Sequence, residues 1–61
     1  MDKTTLYKTA KWHAEVALDG DFVSDGRDNL IDTLNDGGFS EFIADALHVY
    51  DEVVSKAQTL K

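Results

Sequence analysis

The chain has 61 residues, with 12 acidic and 6 basic side chains and a formal net charge of −6. This length predicts a single domain over residues 1–61 and excludes folds large enough to enclose a substrate. The absence of cysteine excludes disulfides, cysteine-ligated zinc and thiol catalysis. The acidic balance argues against direct binding to nucleic acid or to an anionic membrane.

No apolar stretch follows a basic start at the N-terminus, and the longest apolar runs are far shorter than a membrane span. We therefore expect neither a targeting signal nor a membrane segment. Without a signal that directs the chain elsewhere, the cytoplasm is the expected location.

Two turn signals, Asp19-Gly20 and Asp36-Gly37-Gly38, divide the chain into three segments, each of which we predict to be helical. The predicted bounds are about 3–18, about 25–36 and about 40–60. Apolar residues of the first two segments recur at helical spacing. In the first segment they are Leu6, Ala10, Ala14 and Ala17; in the second they are Leu30, Ile31 and Leu34.

The second helix has a weaker start than the others. Ser24 or Asp25 can serve as its N-cap, since both side chains accept hydrogen bonds from backbone N–H groups. Gly26 then falls in the first turn and is expected to weaken the helix by up to about 1 kcal/mol relative to alanine.

The third segment has the broadest apolar face. Ser40 is its predicted N-cap, and Phe39 precedes that cap, where it can pack back on the helix. The face is wide enough to cover both earlier segments or to form a homodimer. It is formed by Ile43, Ala46, Tyr50, Val53, Ala57 and Leu60.

The predicted fold is thus all-α, with three helices and with homodimerisation as an open possibility. An α+β fold is the alternative. Residues Trp12, Ala14, Val16 and Leu18 also alternate, as in a strand, and Asp19-Gly20 is a suitable two-residue hairpin turn. In that fold the hairpin packs on the C-terminal helix.

The acidic residues are segregated along the chain. Residues 19–52 contain ten carboxylates and one cation, Arg27, whereas the flanking segments are slightly basic. Helical spacing arranges most of these carboxylates in two stripes. The first stripe comprises Asp25, Asp28, Asp32 and Asp36. The second comprises Glu41, Asp45 and Glu52, with His48 between Asp45 and Glu52.

Such stripes have more than one interpretation. The simplest is a solvated face that keeps the protein soluble. The functional one is binding to a basic partner surface, because carboxylates about 5–6 Å apart on a helix resemble the phosphates of a nucleic-acid strand. Calcium or magnesium binding is a third, but an EF-hand starting at Asp19 would need glycine at Ser24 and glutamate at Leu30.

The sequence predicts no catalytic residue, metal ligand or cofactor. His48 lies between two carboxylates but lacks a partner histidine at metal-binding spacing, and His13 is expected at the core boundary. The glycines match neither a dinucleotide nor a P-loop motif. Trp12 is predicted to lie in the core, with an exposed partner-binding role as the alternative. We expect no enzymatic activity.

In size, acidity and lack of cysteine, the chain is similar to the small proteins that phages use to block host restriction, repair or CRISPR systems, several of which imitate DNA. The similarity is one of whole-chain composition. It implies an inhibitor in the host cytoplasm that presents its carboxylates to a nucleic-acid-binding protein. The alternative is a structural or antitoxin-like module that uses the apolar face of the third helix.

Overall fold

The computed structural model describes residues 2–59, and in this part of the chain it contains three packed helices and no strand. Helix α1 spans Lys3–Gly20, α2 spans Val23–Asp36 and α3 spans Ile43–Thr59; a short 3₁₀ turn, Ser40–Phe42, leads into α3. Each helix packs on the other two. This arrangement confirms the prediction of a small all-α domain, and homodimerisation stays a prediction.

Helix α1 begins and ends at aspartates. The Oδ1 atom of Asp2 accepts a hydrogen bond from the backbone N–H of Thr5 at 2.7 Å, and this bond lowers the pKa of the Asp2 carboxyl. The helix continues past the predicted end near residue 18 and stops at Asp21, which adopts a left-handed conformation with φ 58°. Aspartate tolerates this conformation better than most residues, so the chain can reverse there without a glycine.

Helix α2 starts earlier than predicted, so the expected cap at Ser24 or Asp25 is wrong. Both residues lie inside the helix, whose N-cap is Phe22 and has no side-chain hydrogen bond. The reversal after α1 decides this start, because the Phe22 N–H donates to the carbonyl of Ala17 at 2.9 Å and the Phe22 carbonyl accepts from Gly26. Residues 12–24 of the alternative hairpin are helical except Asp21 and Phe22.

The core is built from small residues on α1 and larger ones on α2 and α3. On α1 the buried residues follow the predicted spacing, and three of them are alanines that let the other helices approach closely. The largest fully buried side chains are Tyr50, Leu30 and Leu34. The remaining members of the core are Leu6, Ala10, Ala14, Ala17, Ala46 and Val54.

Trp12 does not belong to this core, and the prediction that it is buried is wrong. Its surface is 60% exposed. Trp12 lies two residues from both Ala10 and Ala14, which places it about 200° around the helix from the buried face. His13 does lie at the core boundary, where partial burial lowers its pKa.

None of the helices in residues 2–59 has the length and apolar character needed to cross a membrane.

Candidate functional site

The first acidic stripe forms one continuous row on the outer surface of α2. All four carboxylates are exposed. They lie on the side of α2 opposite Leu30 and Leu34, which are buried against the other helices. A helix rises about 1.5 Å per residue, so the row is about 16 Å long. We call Asp25, Asp28, Asp32 and Asp36 the α2 carboxylate row.

No ion pair within residues 2–59 involves the α2 carboxylate row. Arg27 is the cation nearest to it in sequence, but its guanidinium binds Asp51 of α3. The Nε–Oδ1 and Nη2–Oδ2 distances are 3.0 and 3.1 Å. The carboxylate of Asp51 raises the pKa of Arg27 through this bidentate contact. The only basic residue of the acidic segment therefore joins two helices. It forms no ion pair with the row, although the neighbouring charge of Asp28 also raises its pKa.

The second acidic stripe has a different environment. Glu52 forms an ion pair with Lys56, with 3.1 Å between Oε1 and Nζ. Its Oε2 atom lies 3.8 Å from Nε2 of the His48 imidazole. Asp45 borders a cavity that Lys3 and His48 also line. Glu41 is exposed in the 3₁₀ turn. Lysines thus lie near two of these carboxylates, so the net field of this surface is weaker than that of the α2 carboxylate row.

The apolar face predicted on α3 divides between core and periphery. Ala46 and Tyr50 are fully buried, whereas Ile43, Val53 and Ala57 are half-buried. Leu60 lies outside the described residues. Most of this face is thus covered by α1 and α2 of the same chain, which leaves less of it for another protein than the sequence pattern suggested.

Sequence reasoning missed two features of the surface. One is the Arg27–Asp51 contact, which joins residues 24 positions apart. The other is the exposure of aromatic side chains on α1, where Tyr7 is 50% and Trp12 60% exposed. A partial signal for Trp12 existed, because the alanine spacing already indicates which side of α1 is buried.

The described residues hold no group of three His, Cys, Asp or Glu side chains arranged to bind a metal ion. No protein-family model matches the chain, and neither the curated proteins nor the solved structures include one that is significantly similar to it.

Proposed function

We propose that this protein acts by binding another protein, and that the α2 carboxylate row is the surface that does so. The partner is a nucleic-acid-binding protein whose basic groove accepts the row in place of a phosphate backbone. In this role the protein is an inhibitor of the type phages direct against host defence. One observation carries the proposal: four exposed carboxylates form a row, and no cation within residues 2–59 forms an ion pair with any of them.

The energetics of α2 support this proposal over a purely solubilising role. Like charges at i,i+4 oppose helix formation by a few tenths of a kcal/mol per pair. Lysines interspersed among these positions would remove this repulsion. An uninterrupted row instead concentrates negative potential on one side of the molecule, which accelerates encounter with a basic surface.

The test is affinity capture of partners from bacterial lysate, with the bound proteins identified by mass spectrometry. The wild-type chain should retain a nucleic-acid-binding protein at low salt, and duplex DNA or high salt should displace it. The variant Asp28→Lys/Asp32→Lys should lose that protein.

A matched control is available on α1. Glu15 and Asp19 are also exposed and also four residues apart, so Glu15→Lys/Asp19→Lys changes the net charge by the same amount. This control should retain the partner. If both double variants lose it equally, net charge rather than the row is responsible. If the wild type captures no partner that DNA displaces, the proposal fails.

A further inference from the structure

A furrow runs between α1 and α3 on the side of the molecule away from α2. It consists of two adjoining cavities of about 580 and 220 Å³ that share Tyr7 and Val49. The larger cavity reaches Lys3 and Asp45, and the smaller one reaches Lys11, Glu52 and Lys56. The larger cavity is lined by the earlier residues of both α1 and α3, and the smaller cavity by later residues of both. The two helices therefore run in the same direction along the furrow.

The floor of the furrow is apolar. Leu6, Tyr7, Val49 and Val53 line it. Tyr7 remains 50% exposed, while Val49 and Val53 are only partly buried. The furrow therefore leaves apolar surface in contact with water, and covering it would be favourable.

At two heights along the furrow, a lysine on the α1 rim lies opposite a carboxylate on the α3 rim. On the α1 rim, Lys3 borders the larger cavity and Lys11 the smaller one. On the α3 rim, Asp45 borders the larger cavity and Glu52 the smaller one. Within residues 2–59 no ion pair connects the two rims across the furrow. His48 and Lys56 also lie on the α3 rim, and both are within 4 Å of Glu52.

This charge pattern is self-complementary. We propose that two copies of the chain pack furrow against furrow, about a twofold axis that runs parallel to the furrow. Such an axis places the α1 rim of one copy against the α3 rim of the other, and each residue keeps its position along the furrow. Lys3 of one copy then faces Asp45 of the second copy, and Lys11 faces Glu52, with each contact made twice. A twofold axis across the furrow would instead oppose lysine to lysine, so the charges select the parallel arrangement.

The proposed dimer is independent of the function proposed above. Helix α2 packs on α1 and α3 and contributes no residue to the lining of the furrow, so the α2 carboxylate row stays exposed on both copies. Loss of dimerisation would leave partner capture possible, and loss of capture would leave the dimer intact. The two proposals can therefore fail separately.

The first measurement is the mass of the 61-residue chain in solution, by sedimentation equilibrium and native mass spectrometry over a range of concentrations. We expect a reversible species of twice the 6.8 kDa chain mass. A chain that remains monomeric at millimolar concentration would overturn the proposal.

The decisive experiment mixes two single variants. In a dimer of the Lys11→Glu variant, the new glutamate faces Glu52 of the other copy. In a dimer of the Glu52→Lys variant, the new lysine faces Lys11. Each variant alone should therefore dimerise at least about tenfold more weakly than wild type. In a mixture, both contacts become attractive, and heterodimers should form at close to wild-type affinity. With one variant uniformly labelled with ¹⁵N, native mass spectrometry separates the three dimers by mass. A statistical distribution of dimers would contradict this arrangement.

Two further variants test the apolar floor. Tyr7→Lys places a charge in the furrow and should weaken the dimer about tenfold or more. Trp12→Lys changes an equally exposed aromatic residue on the same helix but outside the furrow, so it should leave dimerisation unchanged. Circular dichroism establishes that each variant is folded. If Trp12→Lys rather than Tyr7→Lys abolishes the dimer, the interface lies on the other side of α1.

Discussion

Tyr50 is the residue at which the three helices meet. It lies on α3, is fully buried, and donates a hydrogen bond from Oη to the carbonyl of Val23 on α2 at 2.6 Å. Burial raises the pKa of its hydroxyl above the ordinary value of 10.0. The close approach depends on Gly26, since a Cβ atom there would lie 2.7 Å from Tyr50 Oη and 2.5 Å from the Cβ of Ala17.

The first prediction concerns this glycine. Gly26→Ala should destabilise the protein, because overpacking a tight contact costs about 1–3 kcal/mol and exceeds the helix-propensity gain of up to about 1 kcal/mol. Urea denaturation measures the change. Asn29→Ala, at an exposed position of the same helix, serves as the control and should stabilise slightly. A stabilised Gly26→Ala would mean that α1 and α2 are farther apart than described.

A second prediction concerns the hydroxyl of Tyr50. Tyr50→Phe removes one hydrogen bond without changing the packing of the ring, and should reduce the free energy of unfolding by about 1 kcal/mol at neutral pH. Tyr7→Phe, at a half-exposed tyrosine, should change it by less than about 0.5 kcal/mol. Equal effects of the two substitutions would contradict the assigned role of the Tyr50 hydroxyl.

The pH dependence gives the same contact an independent readout. In the unfolded chain Tyr50 ionises near pH 10.0, whereas in the folded protein it keeps its proton to higher pH. The unfolded state therefore loses protons first, so the contribution of Tyr50 is complete below pH 10 and decreases as the pH rises above it. The Tyr50→Phe variant should lack this part of the alkaline loss of stability.

At the scale of the helix, α2 is less stable than its length permits. Asp32 has a like charge on both sides at i,i+4 spacing, Asp28 and Asp36. Optimising surface charge is an easy route to higher stability, and its usual cost is lost function. A helix that keeps such repulsion is therefore expected where its surface is selected for binding. The repulsion within the α2 carboxylate row is therefore more consistent with binding than with structural support.

The third prediction follows from these charges. Asp32→Lys converts two repulsive pairs into attractive ones and should stabilise the protein by about 1 kcal/mol in all at low salt, while weakening capture of a basic partner. Thermal denaturation at low and high salt measures the first effect. Glu15→Lys makes the same charge change at a position flanked by one cation, Lys11, and one anion, Asp19. It should therefore leave the stability of the protein nearly unchanged. A salt-independent gain at Asp32 would indicate a cause other than charge.

At the scale of the whole molecule, the charges form two surfaces of different character. The α2 carboxylate row is exposed and forms no ion pair within residues 2–59. The furrow, which α2 does not line, combines an apolar floor with rims of both signs. Added salt should weaken binding at the row strongly, because only charge acts there. It should affect a furrow-to-furrow dimer less, because apolar burial contributes to that contact.

Local periodicity made much of this protein predictable. The three helices, the buried face of α1 and the position of the α2 carboxylate row all follow from residues within a few turns of each other, whose relative directions the helix geometry determines. The sequence by itself therefore determined which carboxylates share a surface.

The tertiary structure decided the features that depend on residues distant in sequence. The reversal between α1 and α2 is so short that α2 begins at Val23. The predicted caps, Ser24 and Asp25, therefore lie inside the helix. The close packing of Ala17 and Tyr50 turned Gly26 from a weak point into a requirement. The pairing of Arg27 with Asp51 and the furrow between α1 and α3 arise only when the helices pack.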